Sequence, residues 1–124
     1  MKPTLLVFNV TDKKRVAGIK KSLLLLGIRG KFVNKELYDV PIGMIFEGKF
    51  PDNYGKYDSE ELTEEMIVMG GFTSSMVDKL IASFYKNGVG KINLKAMLTE
   101  TNAEWNAQEL FLELKKEHEQ FTRN

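Results

Sequence analysis

The turn Gly70-Gly71-Phe72-Thr73-Ser74-Ser75 follows an apolar run and opens a helical pattern. Free backbone N–H groups, a helix dipole and three hydroxyls at such a turn can hold a phosphate or carboxylate. No Walker lysine and no three-glycine fingerprint accompanies it, and the same residue types serve any strand-to-helix turn with an N-cap. The cap is therefore the favoured reading, with a small anionic ligand such as a phosphorylated metabolite as the alternative. Asn102 and Trp105 form the second candidate, because they follow a strand-like stretch. At the carboxyl end of a strand they would cap a helix and cover its joint with the sheet, or border a small-molecule crevice beside the Gly70-Gly71 turn.

A third candidate is electrostatic. Residues 1–35 carry nine Lys/Arg against Asp12 alone, residues 36–70 carry two lysines against nine acids, and residues 71–124 carry seven of each. The partial totals are +8, −7 and 0, which add to the net +1. Lys13, Lys14, Lys20, Lys21, Arg29 and Lys31 can face phosphates, with Phe8 and Phe32 placed for base stacking. A solvated lysine face is the commoner outcome and the overall balance is not basic, so nucleic acid stands as the lesser alternative. Catalytic vocabulary is thin. The chain has no cysteine, and its one histidine, His118, has no second histidine to share a metal with, so no catalytic, metal or cofactor site is assigned.

The elements that must position these residues follow from hydrophobic period. Thr4–Asn9 reads as a strand and Asp12–Leu26 as a helix with Val16, Ile19, Leu23 and Leu26 on one stripe. Gly27 is its C-cap, Arg29–Val33 a second strand, and Pro41 opens a short helix over Ile42–Phe46. The polar, acidic stretch 48–63 reads as a long loop, its Phe50, Tyr54 and Tyr57 suiting either a flap over a ligand or partly buried rings. Glu65–Met69 is a strand, and a helix capped by Thr73 or Ser74 buries Met76, Val77, Leu80, Ile81 and Phe84. Lys91–Leu98 is a fourth strand, and Asn102 or Thr101 caps a final helix from about Glu104 to Phe121. Leu24, Leu25, Trp105 and Leu112 fall off the main stripes and are expected to form a second buried surface, in a homodimer or against the 48–63 loop.

Sliding the chain by 61 positions sets Val7 on Val68, Val16 on Val77, Ser22 on Ser83 and Gly27 on Gly88. Two βαβ-type halves, 1–47 and 64–124, joined by loop 48–63 within one domain spanning 1–124, imply an α/β (α+β) fold. A ferredoxin-like two-layer sandwich is the first architecture, and a small mixed or parallel sheet flanked by helices the second. The longest apolar run, Leu23–Leu26, is too short for a bilayer, so a cytoplasmic protein with no membrane partner is expected.

The stretch Lys95-Ala96-Met97-Leu98-Thr99-Glu100-Thr101-Asn102-Ala103-Glu104-Trp105 resembles a bacterial family of small α/β proteins built on a domain of unknown function. Its pattern is Lys-Ala-x-Leu-Thr-x-Thr-Asn-x-x-Trp, and Val68-Met69-Gly70-Gly71-Phe72 and Gly88-Val89 share the resemblance, which covers roughly residues 65–120. It implies a small α/β protein and carries no assigned activity. The expectation is a non-enzymatic ligand- or protein-binding or regulatory module, with a protein partner or second copy at its contact surfaces and no cofactor; an enzyme or binder acting on a phosphorylated metabolite at the Gly70-Gly71 turn is the second alternative after nucleic acid.

Overall fold

In a computed structural model that describes residues 1–122, four strands form one mixed sheet in the order β2-β1-β3-β4. The strands are β1 (Thr4–Phe8), β2 (Arg29–Val33), β3 (Met66–Gly70) and β4 (Leu94–Met97). The helices are α1 (Lys13–Leu26), α2 (Ile42–Glu47), α3 (Ser74–Lys86) and α4 (Ala107–Thr122). β1 pairs in parallel with β2, and β3 in parallel with β4, while β1 and β3 meet antiparallel with Leu6 opposite Val68. A ferredoxin-like arrangement would split each βαβ unit with an intervening strand. Here the two strands of each unit are neighbours, so the architecture is the mixed sheet flanked by helices.

The fold has three layers instead of two, with the sheet between two helical layers, and the strand composition explains why. Leu5, Leu6, Val7 and Phe8 are all essentially buried, as are Met66 to Met69, because a central strand covered on both faces needs an unbroken apolar run. Leu5, Val7, Ile67 and Met69 pack with Ile19 and Leu23 of α1 and Leu80 and Phe84 of α3. Leu6, Phe8, Met66 and Val68 pack with Ile42 and Ile45 of α2 and Leu110 and Phe111 of α4. The edge strands β2 and β4 carry polar residues among apolar ones.

The positions paired at a shift of 61 can be compared in the fold. Val16 and Val77 both pack against the α1/α3 core, and Gly27 and Gly88 both follow a helix at positive φ. Ser22 and Ser83 converge on Asn87, whose Nδ2 donates to Ser83 Oγ at 3.1 Å and to Ser22 Oγ at 3.5 Å. Val7 and Val68, however, face opposite layers. Strand side chains alternate, so a shift of 61 that aligns the helices puts β1 and β3 side chains on opposite faces of the sheet. α1 lies close enough to α3 that a Cβ on Gly18 would sit 2.4 Å from the Asn87 carbonyl oxygen.

Two element boundaries differ from expectation. β4 starts at Leu94 rather than Lys91, because the Val89 and Lys91 carbonyls accept from the Arg15 guanidinium, which also pairs with Glu65. The last helix starts at Ala107: Asn102 opens a separate 3-10 turn, Asn102–Glu104, and Trp105 is extended with φ −84° and ψ 151°. The true cap is Asn106. Its Oδ1 accepts from Glu109 N at 3.0 Å while Glu109 Oε1 accepts from Asn106 N at 3.2 Å, a reciprocal capping box.

Loop 48–63 lies against the protein. Phe50, Tyr54 and Tyr57 pack on the α2/α4 core, Gly55 N donates to Asp39 Oδ1 at 2.9 Å, and Tyr57 N donates to the Glu36 carbonyl at 3.1 Å. The partly buried rings are thus the reading the structure supports. No helix among the described residues is long and apolar enough to cross a membrane.

Candidate binding groove

β3 and β4 run in parallel, so their carboxyl ends and the turns that follow emerge on one side. The two halves of the expected crevice nevertheless differ. At the first, Gly70 is buried under Phe46, and a Cβ there would lie 2.6 Å from its ring. Gly71 has φ +75°, and a Cβ would lie 2.9 Å from the Met1 carbonyl oxygen. Thr73 Oγ1 accepts from Met76 N at 3.2 Å as the N-cap, and Ser74 and Ser75 are exposed in the first turn of α3. The N-terminal carbonyls next to Gly71 are acceptors, which suit an anion poorly. This turn is built as a cap.

At the second, Asn102 is buried and Trp105 half-buried beside a groove of about 360 Å³ between β4 and α4. Thr99, Thr101, Asn102 and Trp105 line one end, Lys95, Ala96 and Met97 the strand wall, and Leu110, Glu113, Leu114 and Glu117 the helix wall. Asn102 is committed to the protein: Nδ2 donates to the Met97 carbonyl at 2.9 Å, and Oδ1 accepts from Thr99 N at 2.8 Å. The Asn102 N–H donates to Thr99 Oγ1 at 3.0 Å. The backbone carbonyl of Trp105 accepts from Ile42 N at 2.8 Å, which fixes the ring position from α2.

Thr99 Oγ1 is thus committed to Asn102, and Lys95, which also lines the groove, donates from Nζ to the Ile92 carbonyl at 2.7 Å. Trp105 Nε1 and the Thr101 hydroxyl have no hydrogen-bond partner, and Glu113 and Glu117 no ion-pair partner, among the described residues. Glu113 and Glu117 stand one turn apart on an exposed face of α4, flanking Leu114. An indole face next to two carboxylates attracts a cation by ring quadrupole and Coulomb terms together. Sequence reasoning found Asn102 and Trp105 and missed Glu113 and Glu117. Their i, i+4 spacing was visible, but only the packing of α4 against β4 turns that face toward Trp105.

Residues 65–121 match the family described as a domain of unknown function, DUF3783. The matched segment begins at the residue before β3 and ends in α4, so it contains β3, α3, β4 and the whole β4–α4 groove. The match supports the resemblance seen in the sequence at the level of a domain of unknown function. No curated protein and no solved structure matches the chain. Outside the DUF3783 segment, the basic candidates lie on the opposite part of the sheet. Lys13, Lys14, Lys20, Lys21 and Arg29 are exposed, while Lys31 is half-buried and donates to the Ile45 carbonyl at 3.3 Å. The stacking surface expected of Phe8 is absent: Phe8 is fully buried beneath the α2/α4 layer, and Phe32 lies under the Lys20 ammonium.

The off-stripe residues also separate. Leu24 and Leu25 are exposed at the end of α1 and Leu112 is exposed on α4, in the opposite layer, so they do not make one surface with Trp105. His118 is half-buried in a hollow of about 250 Å³ with Leu94, Leu114 and Phe121. Among the described residues no group of three metal-ligating side chains assembles.

Proposed function

We propose that the protein is a non-enzymatic binding module and that the β4–α4 groove receives a cationic group of its ligand. The observation that carries this reading is the uncommitted set Trp105, Glu113 and Glu117 around one concavity in which Asn102 and Thr99 are spent on holding the shape and the Lys95 ammonium is held by the Ile92 carbonyl. A module of this kind positions donors and acceptors without needing a nucleophile, and its groove suits one side chain or small amine more than a whole drug-sized ligand.

Trp105 is the single tryptophan of the chain, so its emission reports the groove alone. Titration with tri-arginine amide is expected to give a saturable change in that emission, and tri-glutamate none. Glu113→Gln with Glu117→Gln is expected to weaken the tri-arginine response about tenfold, since exposed charge pairs contribute up to about 1 kcal/mol each. An unchanged response in that double variant, or no response in the parent protein, overturns the reading.

A second reading rests on the five exposed cations Lys13, Lys14, Lys20, Lys21 and Arg29, which have no ion-pair partner among the described residues. Nucleic-acid binding there would fall steeply with salt and be reduced by Lys13→Glu plus Lys20→Glu. Binding that is absent or insensitive to salt removes it.

A further inference from the structure

β4 is an edge strand, and its outward backbone groups can be assigned individually. Leu98 N donates to the Met69 carbonyl at 2.8 Å and therefore points toward β3. Strand amides alternate in direction, so Ala96 also points toward β3, while Lys95, Met97 and Thr99 point away from the sheet. Asn102 takes two of these outward groups, the Met97 carbonyl and the Thr99 N–H. A neighbouring parallel strand would bond the same two groups from one of its residues. The Asn102 amide thus stands in for one residue of a fifth strand and ends the free edge at Met97. The Lys95 N–H, the Lys95 carbonyl and the Met97 N–H remain outward with no partner among the described residues.

Concavities border this short edge on both faces of the sheet, and Lys95 lines three of them. On the α4 side lie the Trp105 groove and the hollow at Phe121, and on the α3 side a cleft of about 210 Å³ lined by Ile67, Ile81, Phe84 and Tyr85. A strand laid along β4 would send alternate side chains into the two sides. The α4 side offers Glu113 and Glu117, and the α3 side offers apolar and aromatic surface beside Lys91 and Lys95. Tyr85 is 61% exposed and Met97 40% exposed, more contact surface than a protected edge needs.

We propose that the free edge of β4 accepts an extended peptide of a partner protein as a fifth strand, with its side chains alternating basic toward α4 and apolar toward α3. The inference rests on the cationic-ligand reading of the groove and adds the backbone register of the ligand. Strand addition draws affinity from main-chain bonds and specificity from alternate pockets. A second copy of this chain is the poorer occupant. Lys95 faces the same layer as Ile67, its registered partner, so β4 paired with β4 of another copy would gather Lys91 and Lys95 from both chains on one face. Like charges across a strand pair are destabilising.

The probe is the peptide acetyl-Leu-Arg-Leu-Arg-Leu-amide, followed by Trp105 emission and by exchange of the Lys95 and Met97 amide protons. Binding is expected to slow exchange of both amides about tenfold or more. Two N-methylated peptides, one methylated at the leucines and one at the arginines, separate the hypotheses, because only one residue set turns its N–H toward β4. One methylated peptide is expected to bind like the parent and the other to lose binding. If both bind like the parent, or if the parent peptide binds no better than tri-arginine amide and leaves the two amides unprotected, strand addition is overturned while the groove reading stands. If neither the peptide nor tri-arginine changes Trp105 emission, both fall. Protection of Lys95 and Met97 that rises with protein concentration without peptide would make a second copy the occupant and overturn the proposal.

Discussion

Asn102 donates its side-chain amide to the Met97 carbonyl at 2.9 Å, holding the end of an edge strand as a neighbouring strand would. Asn102 itself is 7% exposed, while Met97 and Thr99, whose backbone groups it satisfies, are exposed residues. This one side chain gives the β4–α4 groove its shape and leaves Trp105 and the two glutamates free for a ligand.

Removing that amide should cost more than a surface substitution. Asn102→Ala is expected to destabilise the protein by about 1–2 kcal/mol in urea unfolding, because two part-buried side-chain hydrogen bonds are lost. Asn102→Asp keeps an acceptor for Thr99 N but sets a carboxylate against the Met97 carbonyl. It is expected to be more harmful at pH 7 than at pH 3. Equal stability at both values would show that the amide donor is unimportant.

Burial, and then the hydrogen bond to Glu61, push the Tyr38 phenol well above its ordinary value of 10.0. Above pH 10 an unfolded Tyr38 loses its proton while the folded one keeps it, so the native state binds more protons and stability falls as pH rises. Tyr38→Phe is expected to cost about 1 kcal/mol at pH 7 and to flatten that alkaline decline. Thermal melts at pH 8 and above pH 10 measure the two slopes, and parallel declines would refute the assignment.

The Arg15–Glu65 pair joins α1 to the start of β3, and Arg15 also donates to the Val89 and Lys91 carbonyls. Arg15→Ala is therefore expected to be more destabilising than Glu65→Ala, by about 1 kcal/mol, since three partners are lost against one. A double-mutant cycle on the pair checks this, with a coupling of about 0.5–1 kcal/mol expected for partly exposed charges.

Gly71→Ala tests the turn at the end of β3. Its φ of +75° and the nearby Met1 carbonyl predict a loss of about 1–2 kcal/mol. Millimolar phosphate is expected to leave the melting temperature of parent and variant unchanged, as a built cap requires. A phosphate-dependent rise confined to the parent would restore the anion site.

Asn106→Ala should cost about 1 kcal/mol by removing the capping box with Glu109, and Asn102→Ala should not shorten α4. Helical content by circular dichroism, compared between the two variants, distinguishes the cap from the strand-end clamp.

Sequence period was enough for the helix–strand order, the apolar stripes of α1 and α3, the Thr73 cap and the pairing of the chain into two βαβ units. These features depend on local spacing, and local spacing is what the chain displays. The unbroken apolar runs of β1 and β3 even carried the news that both sheet faces are covered, although a two-layer fold was expected. The antiparallel meeting of β1 with β3 depended on which of two near-equivalent edges the second unit docks against. That choice is made by long-range packing of Leu6 on Val68, with no local signature. The same holds for the groove. Asn102 and Trp105 were legible as turn and cover residues, but Glu113 and Glu117 looked like any solvated helix face until α4 settled on β4, because a side chain's neighbours across the fold are set by tertiary contact and not by its place along the chain.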